Sequence, residues 1–316
     1  MKTIRIGTRG SALALWQAQH VADLLQGPSV IKVVKTSGDK NPEVALGEKN
    51  PVGFFTKEIE KALLEFRIDV AVHSLKDLPI RMHPGLALGA VTPRDEAGDI
   101  LLIRPDALDN RELLALKSRK IIGASSLRRK ALVAHFRPDL KAVPIRGNIH
   151  TRIDKCISGQ YDALLLSRAG PERLGLDVSP LLPFDLNPLC WPGSPGQATI
   201  AVQVRVEDQQ ALKMVRELDH PGSRMRVELE RSLHSVYGGG CHTPFGAYSW
   251  MEQDRICVVV AAVNENSELS LGRFQDSNVK NTLKAAKEWI VGGCEKSNFY
   301  PLREGTWLCR PAQPWS

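Results

Sequence analysis

Long apolar runs, aromatic side chains and clustered cysteines are all scarce in this 316-residue chain, and each shortage excludes something. No stretch approaches the roughly 18 consecutive apolar residues that a membrane-spanning helix requires. The opening segment MKTIRIGTRGSALALWQAQ is broken by Arg5, Arg9 and Gln17 before a signal-peptide core can form, so no membrane contact and a cytoplasmic location are expected. Only 6% of residues are aromatic, which leaves few platforms on which nucleic-acid bases could stack. Six cysteines (Cys156, Cys190, Cys241, Cys257, Cys294 and Cys309) are scattered without CxxC or Cys/His metal spacing. Reduced thiols and no bound metal are therefore expected. A GxxxxGK[ST] phosphate loop is missing as well.

What is present is dispersed positive charge. The formal net charge is +7, yet no Lys/Arg-rich run occurs, which favours a small anionic ligand over nucleic acid. With 43% hydrophobic and 24% charged residues, the length suits a globular protein of two or three domains.

Hydrophobic periodicity divides the chain. KTIRIG alternates as a strand, TRGS turns, and Ser11 is placed to cap a helix whose Leu15, Ala18, Ala22 and Leu25 share a face. VIKVVKT, FFTKEIEKALLEFR and IDVAVHSL follow as strand, helix and buried strand. This is βαβαβ order, the signature of a mostly parallel sheet. KIIGASS, LRRKALVAHF, KAVPI, NIHTRIDKCIS and YDALLLS repeat the alternation, and RAGPERLGL starts another helix. LPFDLNPLCWPGSPG reads as a return crossing, after which ATIAVQVR (198–205) adds to the first sheet. The expected class is α/β: two lobes with mainly parallel sheets, followed by a C-terminal α+β domain. The domains are 1–94 with 196–207, then 95–195, then 208–316.

Ligands of open α/β sheets bind beyond the carboxyl ends of the strands. Those ends carry Arg9 and Ser11; Ser74, Lys76 and Asp77; Ser125, Ser126, Arg128 and Arg129; and Arg146, with Arg152 one helical turn on. A lone arginine there is usually a surface charge, and Ser11 and Ser126 are first of all helix caps. Five arginines at such ends are harder to dismiss. Arg128 and Arg129 also sit where a helix N-terminus repels cations, so an anion is expected to offset the repulsion. Guanidinium forks suit carboxylates, and several together suit a polycarboxylate, with phosphate as the other possibility. Asp77 is the single acid among these cations, placed to bind N–H groups or stabilise a transient positive charge. In YGGGCHTPFGAY the glycines leave the Cys241 thiol unobstructed, whereas a free cysteine is otherwise a small buried hydrophobe. His242 follows it directly, and adjacent residues of a strand point apart. Attachment through Cys241 is favoured over a Cys–His hydrolase.

GTRGSALALWQA, FTKEIEKALLE, DVAVHSLKDLP, GASSLRRKA, IRGNIHTR and GGGCHTPFGAY, in this order, resemble the successive motifs of the hydroxymethylbilane synthase (porphobilinogen deaminase) family. The resemblance implies three domains, the first two like the lobes of periplasmic-type binding proteins. It implies a transferase of porphyrin and heme biosynthesis that joins four porphobilinogen molecules with loss of ammonia and finally hydrolyses off the linear tetrapyrrole. It also implies a dipyrromethane cofactor held by a thioether to Cys241. Lys76, Ser126, Arg128 and Arg129 would then bind cofactor carboxylates, and Arg9, Ser11, Arg146 and Arg152 the incoming substrate or growing end. Asp77 would serve the catalytic step, with Phe55, Lys57, Ser74 and Gln197 in support. No metal, nucleic acid or membrane partner is implied, and a monomer is expected.

Three positions depart from the family pattern. Val52 stands where the family commonly has a lysine, Ala198 where it has a glycine, and His242 where it has a glutamine. The first two imply a weaker anion grip, a stiffer crossing segment and a slower enzyme. The rival readings are a cytoplasmic dicarboxylate-binding module, which leaves Asp77 and Cys241 idle, and a catalytically impaired paralogue.

Overall fold

The computed structural model describes residues 3–36, 56–239, 243–294 and 308–313, so Val52, Phe55, Cys241 and His242 lie outside the described residues. The first elements are β1 (Ile4–Thr8), α1 (Ala12–Leu24), β2 (Ser29–Val33), α2 (Lys57–Leu64), β3 (Val70–Ser74) and β4 (Leu86–Val91). Then come β5 (Asp99–Ile103), β6 (Ile121–Gly123), α3 (Leu127–Phe136), β7 (Lys141–Val143), α4 (Ile149–Ile157), β8 (Ala163–Ser167), α5 (Ala169–Arg173) and β9 (Leu182–Leu186). The rest is β10 (Ile200–Arg205), α6 (Gln209–Arg216), α7 (Pro221–Tyr237), β11 (Phe245–Glu252), β12 (Arg255–Val263), β13 (Leu269–Asp276), α8 (Val279–Val291) and β14 (Cys309–Pro311). Two compact units result: Met1–Asp95 with Gly196–Met225, and Glu96–Pro195 with Arg226–Ser316. Among the described residues no helix is long and apolar enough to cross a membrane.

The first unit is built on a sheet of order β2-β1-β3-β10-β4. β1 pairs in parallel with β2 and β3, while β10, arriving from far along the chain, runs antiparallel between β3 and β4. Both faces are covered, which is why β3 and β10 read as nearly unbroken apolar text. Val70, Val72, Val202 and Val204 pack with Ala18 and Val21 of α1 and with Ala211 and Val215 of α6. On the opposite face Ala71 meets Ile59, Ala62 and Leu63 of α2. Two expectations need adjusting. Leu15 is 36% exposed, and the buried residues of α1 are instead Gln17, Ala18 and Val21. The helix α6, assigned by sequence to the third domain, lies in the core of the first unit.

The second unit contains a mixed sheet of order β14-β9-β5-β8-β6-β7 and an antiparallel sheet β11-β12-β13. β6 is parallel to β7 and β8, whereas β5 is antiparallel to β8 and β9. β9 lies in the proline-rich stretch read as a plain crossing, where Pro183 obscures a strand that pairs with Leu102 of β5. The expected hairpin-linked strands appear as β11 to β13. Fully buried Glu230 of α7 accepts hydrogen bonds from Ser249 N and Oγ, both at 2.8 Å, which fixes that helix on β11. The class is α/β with a further α+β portion, as the periodicity implies.

Candidate active site

In the first unit, parallel pairing brings the carboxyl ends of β1 and β3 side by side, with Ile6 opposite Val70. The residues that follow each strand therefore emerge together. Arg9, Ser11, Gln17, Thr56, His73, Ser74 and Asp77 line one open pocket of about 430 Å³. Ser11 caps α1, accepting from Ala14 N at 3.3 Å, so its hydroxyl is held at the rim by the helix it starts. Buried Gln17 donates through Nε2 to Ser74 Oγ at 3.0 Å, tying α1 to the end of β3.

Beyond Ser74 the chain makes one tight 3₁₀ turn, Leu75–Asp77. Leu75 N donates to Thr199 O at 2.9 Å and the Leu75 side chain is fully buried, so Lys76 and Asp77 are presented from an anchored turn. Gly196 makes this possible, because a Cβ there would come within 2.9 Å of Leu75 and its φ is +75°. Lys76 Nζ donates to Oε1 of buried Gln197 at 3.4 Å. Lys57 opens α2 and is exposed, outside this pocket.

In the second unit, β6 and β7 also end side by side. Ser125 Oγ donates to Ile145 O at 2.6 Å and accepts from Ile145 N at 3.0 Å, linking the two loops that carry the arginines. Ser126 caps α3, with Arg129 N at 3.5 Å. Arg128 and Arg129 are buried, and the anion opposite them belongs to the protein. Asp99, fully buried at the start of β5, accepts from Arg128 Nη2 at 2.9 Å and from Arg129 Nε and Nη2 at 3.0 and 2.8 Å. Trp191 Nε1 donates to the same carboxylate at 3.1 Å. Arg128 Nη1 donates to Pro192 O at 2.9 Å and Arg129 Nη1 to Leu165 O at 3.1 Å. Gly246 of β11 allows this close fit, since a Cβ there would stand 2.7 Å from Pro192 O and 2.9 Å from Arg128 Cδ. Burial pulls the Arg128 guanidinium down from its ordinary pKa, against the opposing pull of Asp99.

Arg146 and Arg152 complete this group. Arg152 Nε donates to Gly147 O at 2.8 Å, and Lys155 Nζ donates to Arg146 O at 3.1 Å. Burial pushes the Arg152 guanidinium down to about 10, and the charges of Arg129 and Arg146 add to the effect. Arg152, in the first turn of α4, is thus close enough to be repelled by both Arg129 of α3 and Arg146. Such a cluster of cations attracts an anion with more than one negative charge.

The sequence reading passed over Asp99, Trp191, Thr56 and His73. Asp99 carried a signal, an acid directly before the apolar run ILLI, where an unpaired charge would be costly. The thiols of the described cysteines are unsuited to attack or attachment. Burial pushes Cys156 and Cys190 up to about 12 and Cys294 and Cys309 to about 11, and it raises Cys257 as well.

Comparison with known proteins bears on the same residues. Residues 4–213 match the family model "Porphobilinogen deaminase, dipyromethane cofactor binding domain". The chain is 43% identical over 259 residues to the porphobilinogen deaminase of Syntrophomonas wolfei, covering 80% of this chain and 82% of that one. It is 44% identical over 254 residues to a probable porphobilinogen deaminase of Methanosarcina barkeri, covering 79% and 78%. Among solved structures it is similar to an ancestral cationic amino acid solute binding protein, with 14% identity, a TM-score of 0.41 and coverage of 68% and 87%. That likeness is too loose to bear on a ligand.

Proposed function

Because the chain belongs to the porphobilinogen deaminase family, we propose that it joins four porphobilinogen molecules head to tail into hydroxymethylbilane, releasing one ammonia per condensation. The observation that carries this reading is the cluster of buried Arg129 with half-buried Arg146 and Arg152, in which the charges of the first two act on the third. Porphobilinogen bears an acetate and a propionate, so a growing chain adds two carboxylates per unit, and bidentate pairing with arginine offsets the repulsion.

A dipyrromethane is likewise a polycarboxylate of the kind this cluster attracts. In the second unit Ser126, Arg128 and Arg129 would hold its carboxylates and Arg146 and Arg152 the growing end. In the first unit Lys76 would bind a cofactor carboxylate, and Arg9 and Ser11 the substrate. When bound through Cys241, the dipyrromethane supplies a free pyrrole α-carbon as the point of extension. Asp77 shares its pocket with Arg9, Ser11 and Ser74. Its carboxylate accepts from a pyrrole N–H and stabilises the positive charge that develops as the aminomethyl C–N bond breaks. Ser74, held by Gln17, keeps the end of β3 in place. Gln197 does the same for Lys76, and Lys57 and Phe55 would have supporting roles. The same reading makes the protein a cytoplasmic monomer, with its third domain beginning past Met225 rather than at 208.

Intact-protein mass spectrometry with peptide mapping tests this. The expected result is an increment of two linked pyrroles on the peptide containing Cys241, together with consumption of porphobilinogen. Asp77→Asn is expected to fold and to lose nearly all turnover. A thiol that stays unmodified after incubation with porphobilinogen, in a protein that still binds a dicarboxylate, would make this a binding module instead.

A further inference from the structure

Several buried side-chain polar atoms of the first unit have no hydrogen-bond partner among the described residues, and two of them, Thr56 Oγ1 and His73 Nε2, belong to uncharged side chains that line the Asp77 pocket. Thr56 is 1% exposed and His73 5%. Neither position is explained by local structure. Thr56 is the N-cap residue of α2, where a threonine normally bonds to its own helix, yet its side chain makes no cap bond. His73 stands on the α2 face of β3, opposite Ala201 of β10, directly after the apolar run Val70, Ala71 and Val72. A buried polar atom left without a partner costs about 1–3 kcal/mol, so a pair facing one pocket calls for an occupant that satisfies both.

The chemistry of the lining narrows that occupant. Burial holds His73 at about 4 against the opposing pull of the Gln203 side chain, with the nearby Arg9 charge adding to the lowering, so the imidazole is neutral at physiological pH. Gln203 is itself held by Glu60, its Nε2 donating to Oε1 at 2.9 Å. The pocket therefore presents one cation at Arg9, one carboxylate at Asp77 and, besides Ser11, Gln17 and Ser74, the uncharged hydroxyl of Thr56 and the uncharged ring nitrogen of His73. Carboxylates of a ligand go to Arg9. An ammonium group has three N–H donors and suits three acceptors. Asp77, Thr56 Oγ1 and His73 Nε2 supply three.

Resting on the porphobilinogen deaminase reading, we propose that Thr56 and His73 form the binding site for the departing nitrogen of the aminomethyl group. The group enters as –CH₂–NH₃⁺. The C–N bond breaks with its electron pair going to nitrogen, neutral ammonia leaves, and the positive charge passes to the methylene-pyrrole beside Asp77. Neither Thr56 nor His73 gains or loses a proton. A neutral floor holds the ammonium without repelling it and without binding it so tightly that departure is slowed.

The test compares holoenzymes of the wild type, Thr56→Val, Thr56→Ser and His73→Phe on two substrates: porphobilinogen and its analogue with hydroxymethyl in place of aminomethyl. Turnover by the wild type, with the pyrrole adduct on Cys241, checks the underlying reading separately. Thr56→Val is nearly isosteric and keeps the fold. It is expected to lower kcat/KM for porphobilinogen about 10-fold or more relative to the hydroxymethyl analogue, with Thr56→Ser restoring the ratio to within about 3-fold. His73→Phe is expected to shift the ratio in the same direction. Equal losses on both substrates, or an unchanged ratio in Thr56→Val, would overturn the assignment and leave the pair as a site for ordered water.

Discussion

Replacing Asp99 by Asn removes one negative charge from the centre of a buried cluster while changing almost no volume. The carboxylate is fully buried and accepts from three guanidinium N–H groups and the Trp191 indole. The side chains of Arg128 and Arg129 are only 3% and 10% exposed, so neither turns easily to solvent. An asparagine offers one acceptor oxygen and sets an NH₂ against donors, leaving two buried cations without a counterion. Breaking a buried pair in this way costs about 3–5 kcal/mol. In a unit of this size about 1 kcal/mol moves the midpoint by about 2–4 °C, so thermal unfolding followed by circular dichroism is expected to show a drop of about 6–20 °C. Pyrrole loading of the surviving folded protein, read by intact mass, is expected to fall as well, because the arginines lose the group that aims them. A midpoint within about 2 °C of wild type would refute the argument, since the two arginines would then have found other partners at no cost. Asp99→Leu combined with Arg129→Leu should be less damaging than Asp99→Leu alone, because an apolar replacement of both partners leaves less charge unpaired.

Two further perturbations follow from backbone and protonation. Ala198 adopts φ +67°, the left-handed region that costs an L-residue about 1–2 kcal/mol, so Ala198→Gly is expected to stabilise the protein by about 0.5–1 kcal/mol in urea unfolding after its chain-entropy cost. A loss of stability would mean that the crossing gains more from the methyl group than it loses to strain. His73 gives a pH dependence of known sign. Unfolded, it takes up a proton near 6.5; folded, it stays neutral down to about 4. The unfolded state therefore binds more protons between these values, and stability rises with pH across that window. The expected contribution is about 1–3 kcal/mol, and His73→Gln should flatten that part of the profile. A wild-type curve that is flat between pH 4 and 6.5 would show that the ring is solvated.

The strand ends were legible in the sequence because an apolar run stopped by polar residues is a local pattern. VAVHSLKD marks where β3 ends and where Lys76 and Asp77 begin, and SSLRRKA marks the cap and first turn of α3. β9 was not legible, because its proline and charged residue break the run and only pairing with β5 makes it a strand. The same holds for α6, whose amphipathic pattern says that one face is buried but not against which sheet.

By itself the sequence determined the α/β alternation, the set of strand-end cations with Asp77 among them, and the family, since each depends on residue order over short spans. Tertiary structure alone decided the partners. Arg128 and Arg129 called for an anion, but that Asp99 provides one could be known only once β5 was laid beside β8, within reach of α3. Likewise Thr56 and His73, separated along the chain, became two sides of one pocket only when α2 packed across β3. Local propensity acts through neighbours in sequence, whereas charge pairing and desolvation act through neighbours in space.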